Sequence, residues 1–202
     1  MRRIFMVAGV LWAFPFLAAG AQGPFGINAG DRYDHPQFEA FREIEPTEPG
    51  LVALMGEKPP LPHSLFETYA IQFHPEEGAC WGQARGPIHR DDRYGSTVRA
   101  RMERVRGQLS DSYGSPGEEV DRLLPGALWD GAEYWSRALQ SNERFYFYQW
   151  EPDPVDPQKR VKALSLIARA ARSNDTRMVL EWQFDNWAEC QSVGDQLDRG
   201  AF

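Results

Sequence analysis

Two clusters in this chain combine imidazole and carboxylate at short spacing. His74 sits with Glu76 and Glu77 in one turn, and His89 stands beside Asp91 and Asp92 in a second polar segment. On neighbouring loops, His74, Glu77, His89 and Asp91 would form a ligand set suited to a divalent metal and metal-assisted hydrolysis. The competing explanation is that turns are polar by nature. His63 and Ser64 are adjacent, and adjacent side chains do not face one another, so they make a poor base and nucleophile. Phosphate-binding glycine loops, dinucleotide fingerprints, zinc-protease helices and G-x-S-x-G elbows are all missing, so no cofactor is expected. His89-Arg90-Asp91 matches three letters of a kinase loop without the glycine-rich loop that chemistry requires.

A different chemistry is written in Arg144 to Trp150, where five of seven residues are aromatic. On an extended strand Tyr146, Tyr148 and Trp150 share one face. Left open, that face is a stacking platform for a sugar or peptide; covered, it is core. Arg99, Arg101, Arg104 and Arg106 gather on one side of a helix. They suit either an anionic partner or solvation beside Glu103.

The elements that must position these residues follow from periodicity. Thr68 to Gly86 alternates, with Tyr69, Ile71 and Phe73 on one face, turns over Pro75 to Gly78, and returns through Cys80 and Trp81. Ser96 is expected to cap a helix whose stripe is Val98, Met102, Val105, Leu109 and Tyr113, ending at Gly114. Glu118 to Leu124 reads as a short helix before Pro125-Gly126. Another helix follows Asp130, with Glu133 placed for a capping box. Residues 144–150 are a strand, and 176–184 pairs across Ser173-Asn174-Asp175 with 161–171, which suits strand or helix equally. Residues 22–66 read as a Pro/Gly-rich extended arm, with a short strand at Phe25 to Asn28, an apolar cluster at Val52 to Met55 and a stiff run at Pro59 to Pro62. The tail from Trp187 carries Cys190 and is otherwise polar. The assembly is α+β in two layers, an antiparallel sheet of about five strands with two or three helices on one face, formed by residues 67–202.

Arg2 and Arg3, an apolar run from Ile4 to Ala19 and the small-residue site Ala19-Gly20-Ala21 have the three parts of a secretory signal peptide over residues 1–21. The run is short of the ~20 residues a membrane span needs. The chain has 22 basic and 29 acidic residues; loss of Arg2 and Arg3 leaves 20 against 29, a net charge of −9. That balance argues against nucleic acid or an anionic membrane surface as the main partner, since both attract positive charge. Cys80 and Cys190 are the chain's two cysteines, and in an oxidising compartment they are expected to pair.

Phe25-Gly26-Ile27 with Gly30, Gly78 to Trp81, Tyr94-Gly95, Tyr113 to Pro116, Leu128 to Asp130 with Trp135, and Trp182 to Asn186 followed by Cys190 span most of the chain. In these marks it resembles a group of exported bacterial proteins of unassigned function, which implies export and no particular activity. The Phe-Gly start and the helix ending Tyr113-Gly114 are also similar to small α/β envelope modules of the small-protein-A type. The chain departs from these in having no cysteine after Ala21 for lipidation, and Asp31 to Pro36 where a helix start belongs. The leading expectation is a periplasmic or secreted non-catalytic binding or accessory domain whose partner is a protein or an envelope component. The alternative is an exported metal-assisted hydrolase using His74, Glu77, His89 and Asp91.

Overall fold

The computed structural model describes residues 22–200; the expected signal segment, 1–21, lies outside the described residues. One antiparallel sheet dominates, with strands β1 Arg42–Ile44, β2 Val52–Gly56, β3 Thr68–His74, β4 Gly78–Arg85, β5 Glu118–Leu123, β6 Arg144–Trp150, β7 Val161–Arg172 and β8 Asp175–Phe184. Their order across the sheet is β1-β2-β3-β4-β8-β7-β6-β5. The helices are α1 Ser96–Tyr113, α2 Trp135–Gln140 and α3 Trp187–Gly200. The α+β class and the antiparallel sheet stand as read from sequence, but the sheet has eight strands rather than about five.

The three additional strands lack a buried stripe that a sequence would reveal. Glu118–Leu123, expected as a helix, is β5, an edge strand held along six register pairs to β6. Four of its residues are exposed, so no hydrophobic period marks it. β1 and β2 are short segments of the arm, and β2 runs antiparallel along β3 from Val52↔Phe73 to Gly56↔Tyr69. The undecided segment 161–171 is strand throughout. Phe25 to Asn28 is not a strand: Pro24–Gly26 forms a 3-10 turn in which Phe25 takes φ 58° and Gly26 φ 75°. That left-handed pair turns the Phe25 ring inward against Phe66, Tyr69 and Trp182, at centroid distances of 5.3, 4.9 and 5.4 Å.

The core lies between the sheet and α1 with α2. Met178, Leu180, Trp182 and Phe184 of β8 and Tyr69, Ile71 and Phe73 of β3 are almost wholly removed from solvent. Burying side chains of this size contributes about 1.5–3 kcal/mol each. Gly82 on β4 makes room for Trp182: a Cβ there would lie 2.0 Å from the indole Cζ2. Val98, Met102 and Val105 are the buried stripe of α1. Ser96 is not its cap: Gly95 holds the N-cap position at φ 67°, and the acceptors for the first turn come from Asp92. The Asp92 carboxylate accepts from the Thr97 and Val98 backbone N–H groups and from the Thr176 hydroxyl. One buried carboxylate thereby ties the helix start to β8.

The C-terminal tail, read as merely polar, is the helix α3. It builds a second small cluster apart from the main core, in which Leu51, Cys80 and Cys190 are buried with Trp187 and Val193 against them. Cys80 and Cys190 form a disulfide with Cα atoms 6.5 Å apart. Cys80 stands at a bulge, since the register with β3 shifts between Gln72↔Trp81 and Phe73↔Ala79. Bulges re-aim a side chain locally, and here the bulged residue is the one that reaches the tail.

Candidate functional site

On the strands from β4 to β5, one face is packed by α1 and α2. The alternate residues form the other face; among the described residues α3 meets the sheet at β3 and β4, away from β5 to β7. The pairing register arranges that outer face in rows across the strands. One row runs Gln83, Glu181, Ser165, Gln149 and Glu118; the next runs Arg85, Val179, Ile167, Phe147 and Val120. Most of these side chains are half-buried. Beyond them Arg169 and Arg177 face each other directly across β7 and β8. Arg122 lies over the Phe145 ring at 5.7 Å from its centroid.

Four arginines converge at one end of this face. Arg85, Arg169, Arg172 and Arg177 line a concavity of about 570 Å³ together with Gln83 and Glu181. Among the described residues none of the four makes a salt bridge. The one carboxylate in the lining, Glu181, is engaged elsewhere: its Oε1 accepts from Gln83 Nε2 at 2.8 Å. Gln83 Oε1 in turn accepts from Arg85 Nε, which fixes that guanidinium in place. Arg177 Nε is shut off from solvent with no hydrogen-bond partner. Like charges opposite each other on a sheet are destabilising, and this chain carries the arrangement despite its overall charge of −7.

The opposite side of the sheet holds a polar network under α1. Tyr146 and Tyr148 both donate to Glu103 Oε1, and Arg106 Nε donates to Glu103 Oε2 at 2.9 Å. Burial works against the Glu103 charge, but the hydrogen bonds from Tyr148, Arg106 and Tyr146 outweigh it and hold the carboxyl below its usual range. Burial raises the Tyr148 phenol, and the bond it gives to Glu103 adds to the rise. Both tyrosines stay neutral donors at physiological pH.

Scanned against known protein families, the chain matches none, and no curated protein or solved structure matches it.

Of the two readings of the Tyr146, Tyr148 and Trp150 face, the structure shows the covered one and not the stacking platform: these residues are 8%, 6% and 1% exposed. α1 and α2 lie over them, and the Trp150 indole donates to the Gly114 carbonyl at 2.9 Å. The four residues of the hydrolase reading are not brought together. His74 and Glu77 flank the beginning of β4, whereas His89 and Asp91 follow its far end. Eight residues of strand separate them, about 25 Å. His74 Nδ1 accepts from the Glu76 and Glu77 backbone N–H groups, so the imidazole folds back on its own turn. His89 is buried, bridged through its backbone to Thr176, and its Nε2 has no partner. Asp91 donates its N–H to Asp175 at 3.3 Å. Of the basic face on α1, Arg106 pairs with Glu103 and Glu119, and Arg99 lies over Trp135.

The four-arginine concavity did not emerge from the sequence, for a specific reason. With the two-residue turn at Ser173-Asn174 and the pair Arg172↔Asp175, plain counting sets Ala170 opposite Arg177 and Arg169 opposite Met178. A register shift between Ala170 and Arg172 advances β7 by one residue and brings Arg169 opposite Arg177 instead. The only usable signal was the density of arginines on either side of the turn.

Proposed function

We propose that the protein is an exported, non-catalytic binding domain that engages an anionic component of the cell envelope through the uncovered face of its sheet. The observation that carries this reading is the set of four arginines on that face that have no ion pair among the described residues, in an acidic chain. A concentrated positive site against a negative background selects partners by charge and repels most of the alternatives. The Cys80–Cys190 bridge supports an oxidising destination, because such bonds persist there and are reduced in the cytosol. No helix among the described residues is long and apolar enough to cross a membrane.

Two measurements test the reading. Intact mass of protein recovered from the periplasm or medium is expected to correspond to residues 22–202. Purified protein is expected to sediment with the host's isolated envelopes at low salt and to be released as ionic strength rises. Sedimentation that is absent at every salt concentration, or unaffected by reversing Arg85 and Arg172 to Glu, would overturn the envelope partner.

A further inference from the structure

We propose that the concavity at the tip of the β7–β8 hairpin is an oxyanion site that takes a phosphate-bearing group, most readily a diphosphate. The inference rests on the binding reading above and gives it a ligand class. Three independent features meet there.

The first is charge. Arg85, Arg169, Arg172 and Arg177 bring four positive charges into one space of about 570 Å³, and Glu181 is the single carboxylate in its lining. Among the described residues no acid pairs with any of the four. The second is frustration. The bulge between Ala170 and Arg172 places Arg169 and Arg177 directly opposite each other, where an unshifted ladder would separate them. Bulges near functional sites re-aim side chains in this way. The third is preparation. Arg85 is held by Gln83, whose amide is itself held by Glu181, and the Arg177 Nε hydrogen has no acceptor. The Gln83 and Glu181 contacts thus hold the Arg85 guanidinium in place before a ligand arrives, while the buried Arg177 Nε fixes that side chain against the sheet rather than offering a donor to the concavity.

The ligand class follows from donor geometry. A guanidinium presents a planar fork that matches carboxylate or phosphate oxygens two at a time. One carboxylate satisfies one fork and cancels one charge. A diphosphate brings several terminal oxygens and more than two negative charges, enough to serve all four arginines at once. The same group occurs free and as the headgroup of a lipid or glycan carrier. Val179 at the floor and Ile88 at the rim, the latter 44% exposed, are compatible with either source.

The test uses the purified protein with pyrophosphate as probe and acetate or chloride at matched ionic strength as controls. Pyrophosphate is expected to raise the melting temperature in a saturable way and to bind at least tenfold more tightly than acetate. Arg169→Gln with Arg177→Gln should weaken that binding tenfold or more. Because it relieves a like-charge pair, the double variant should melt no lower than the parent without ligand, which separates lost binding from lost folding. If the double variant fails to fold, Arg172→Gln at the exposed hairpin end gives the same comparison. Vesicles of phosphatidylcholine with and without phosphatidic acid decide the source. Acidic vesicles that bind and compete with pyrophosphate identify a headgroup, and vesicles that do neither while pyrophosphate binds identify a free anion; both support the site. A pyrophosphate effect equal to that of acetate, or one unchanged in the double variant, overturns it. If envelope sedimentation survives in that double variant, the broader binding reading stands and only the phosphate site is lost.

Discussion

Opening the Cys80–Cys190 bridge should produce a large stability loss that can be worked from chain length alone. The bond closes a loop with a sequence separation of 110. In the chain-entropy model such a constraint removes roughly 16 cal/mol/K from the unfolded ensemble, or about 5 kcal/mol at 25 °C. For a chain of this size each kcal/mol corresponds to about 2–4 °C in Tm, so reduction should lower Tm by about 10–20 °C. Cys80→Ala with Cys190→Ala should cost about 1 kcal/mol more than reduction, because it also opens space beside Leu51, Trp187 and Val193. The assay is urea unfolding of the oxidised protein, the reduced protein and the double variant, followed by tryptophan fluorescence and far-UV circular dichroism. Oxidised and reduced midpoints that agree to within about 1 kcal/mol would refute the reasoning. The loop-closure account would then fail for this bond, its effect on the unfolded chain being matched by an equal cost in the folded state. Two free thiols in protein taken from an oxidising compartment would remove the bridge itself.

Burial pushes the His89 imidazole below its ordinary value, Arg101 adds to this, and Asp92 and Glu67 oppose it. The unfolded chain thus takes up that proton first, so stability should fall as pH drops below about 6.5 toward the lower folded value. His89→Gln should flatten the urea midpoint between pH 7.5 and 5, and an unchanged slope would remove His89 as the cause. Gly82→Ala drives a methyl into the Trp182 indole and should cost at least about 1–3 kcal/mol in urea unfolding; a neutral result would mean the ring has room to move. Glu103→Gln replaces a carboxylate that receives two phenols and a guanidinium. It should cost about 1–2 kcal/mol, a figure kept low because 46% of the Glu103 side chain meets solvent. The folded carboxyl lies below its ordinary range, so Glu103 stabilises the fold above about pH 4.5 and loses that contribution as pH falls through its folded value. A parent and variant that lose stability in parallel below pH 5 would exclude it.

Elements with one buried and one open face were legible in the sequence. β3, β8 and α1 announce themselves because Tyr69, Ile71 and Phe73, then Met178, Leu180, Trp182 and Phe184, then Val98, Met102 and Val105, recur at the period of their backbone. β5 escaped because an edge strand buries almost nothing, and Glu118 to Leu123 carries charge on both faces. α3 escaped although Trp187, Cys190 and Val193 recur three residues apart, because so short a stripe in a polar tail packs on a small separate cluster and not on the main core. The hydrolase residues looked adjacent on paper because a strand is crossed in eight letters; in space those letters are a whole strand length. The arginine concavity depends on a one-residue shift inside a hairpin, which composition does not encode. For the tyrosines of β6 the sequence left core and open platform as alternatives, since only the placement of α1 decides which side of a strand is roofed.

The strand order has a consequence for the chronology of folding. β1 to β4 form one meander and β5 to β8 a second, and they meet only where β4 lies against β8. β8 is the last strand in the chain. As the polypeptide emerges from its N-terminus, the first meander can assemble early, yet its β4 edge stays unsatisfied until residues 175–184 arrive. Cys190 follows six residues later, just after the seam it then locks. A truncation between β7 and β8 therefore leaves β1 to β4 and β5 to β7 as two half-sheets, each with an open edge that β8 would have filled and that another molecule's strand can pair with instead.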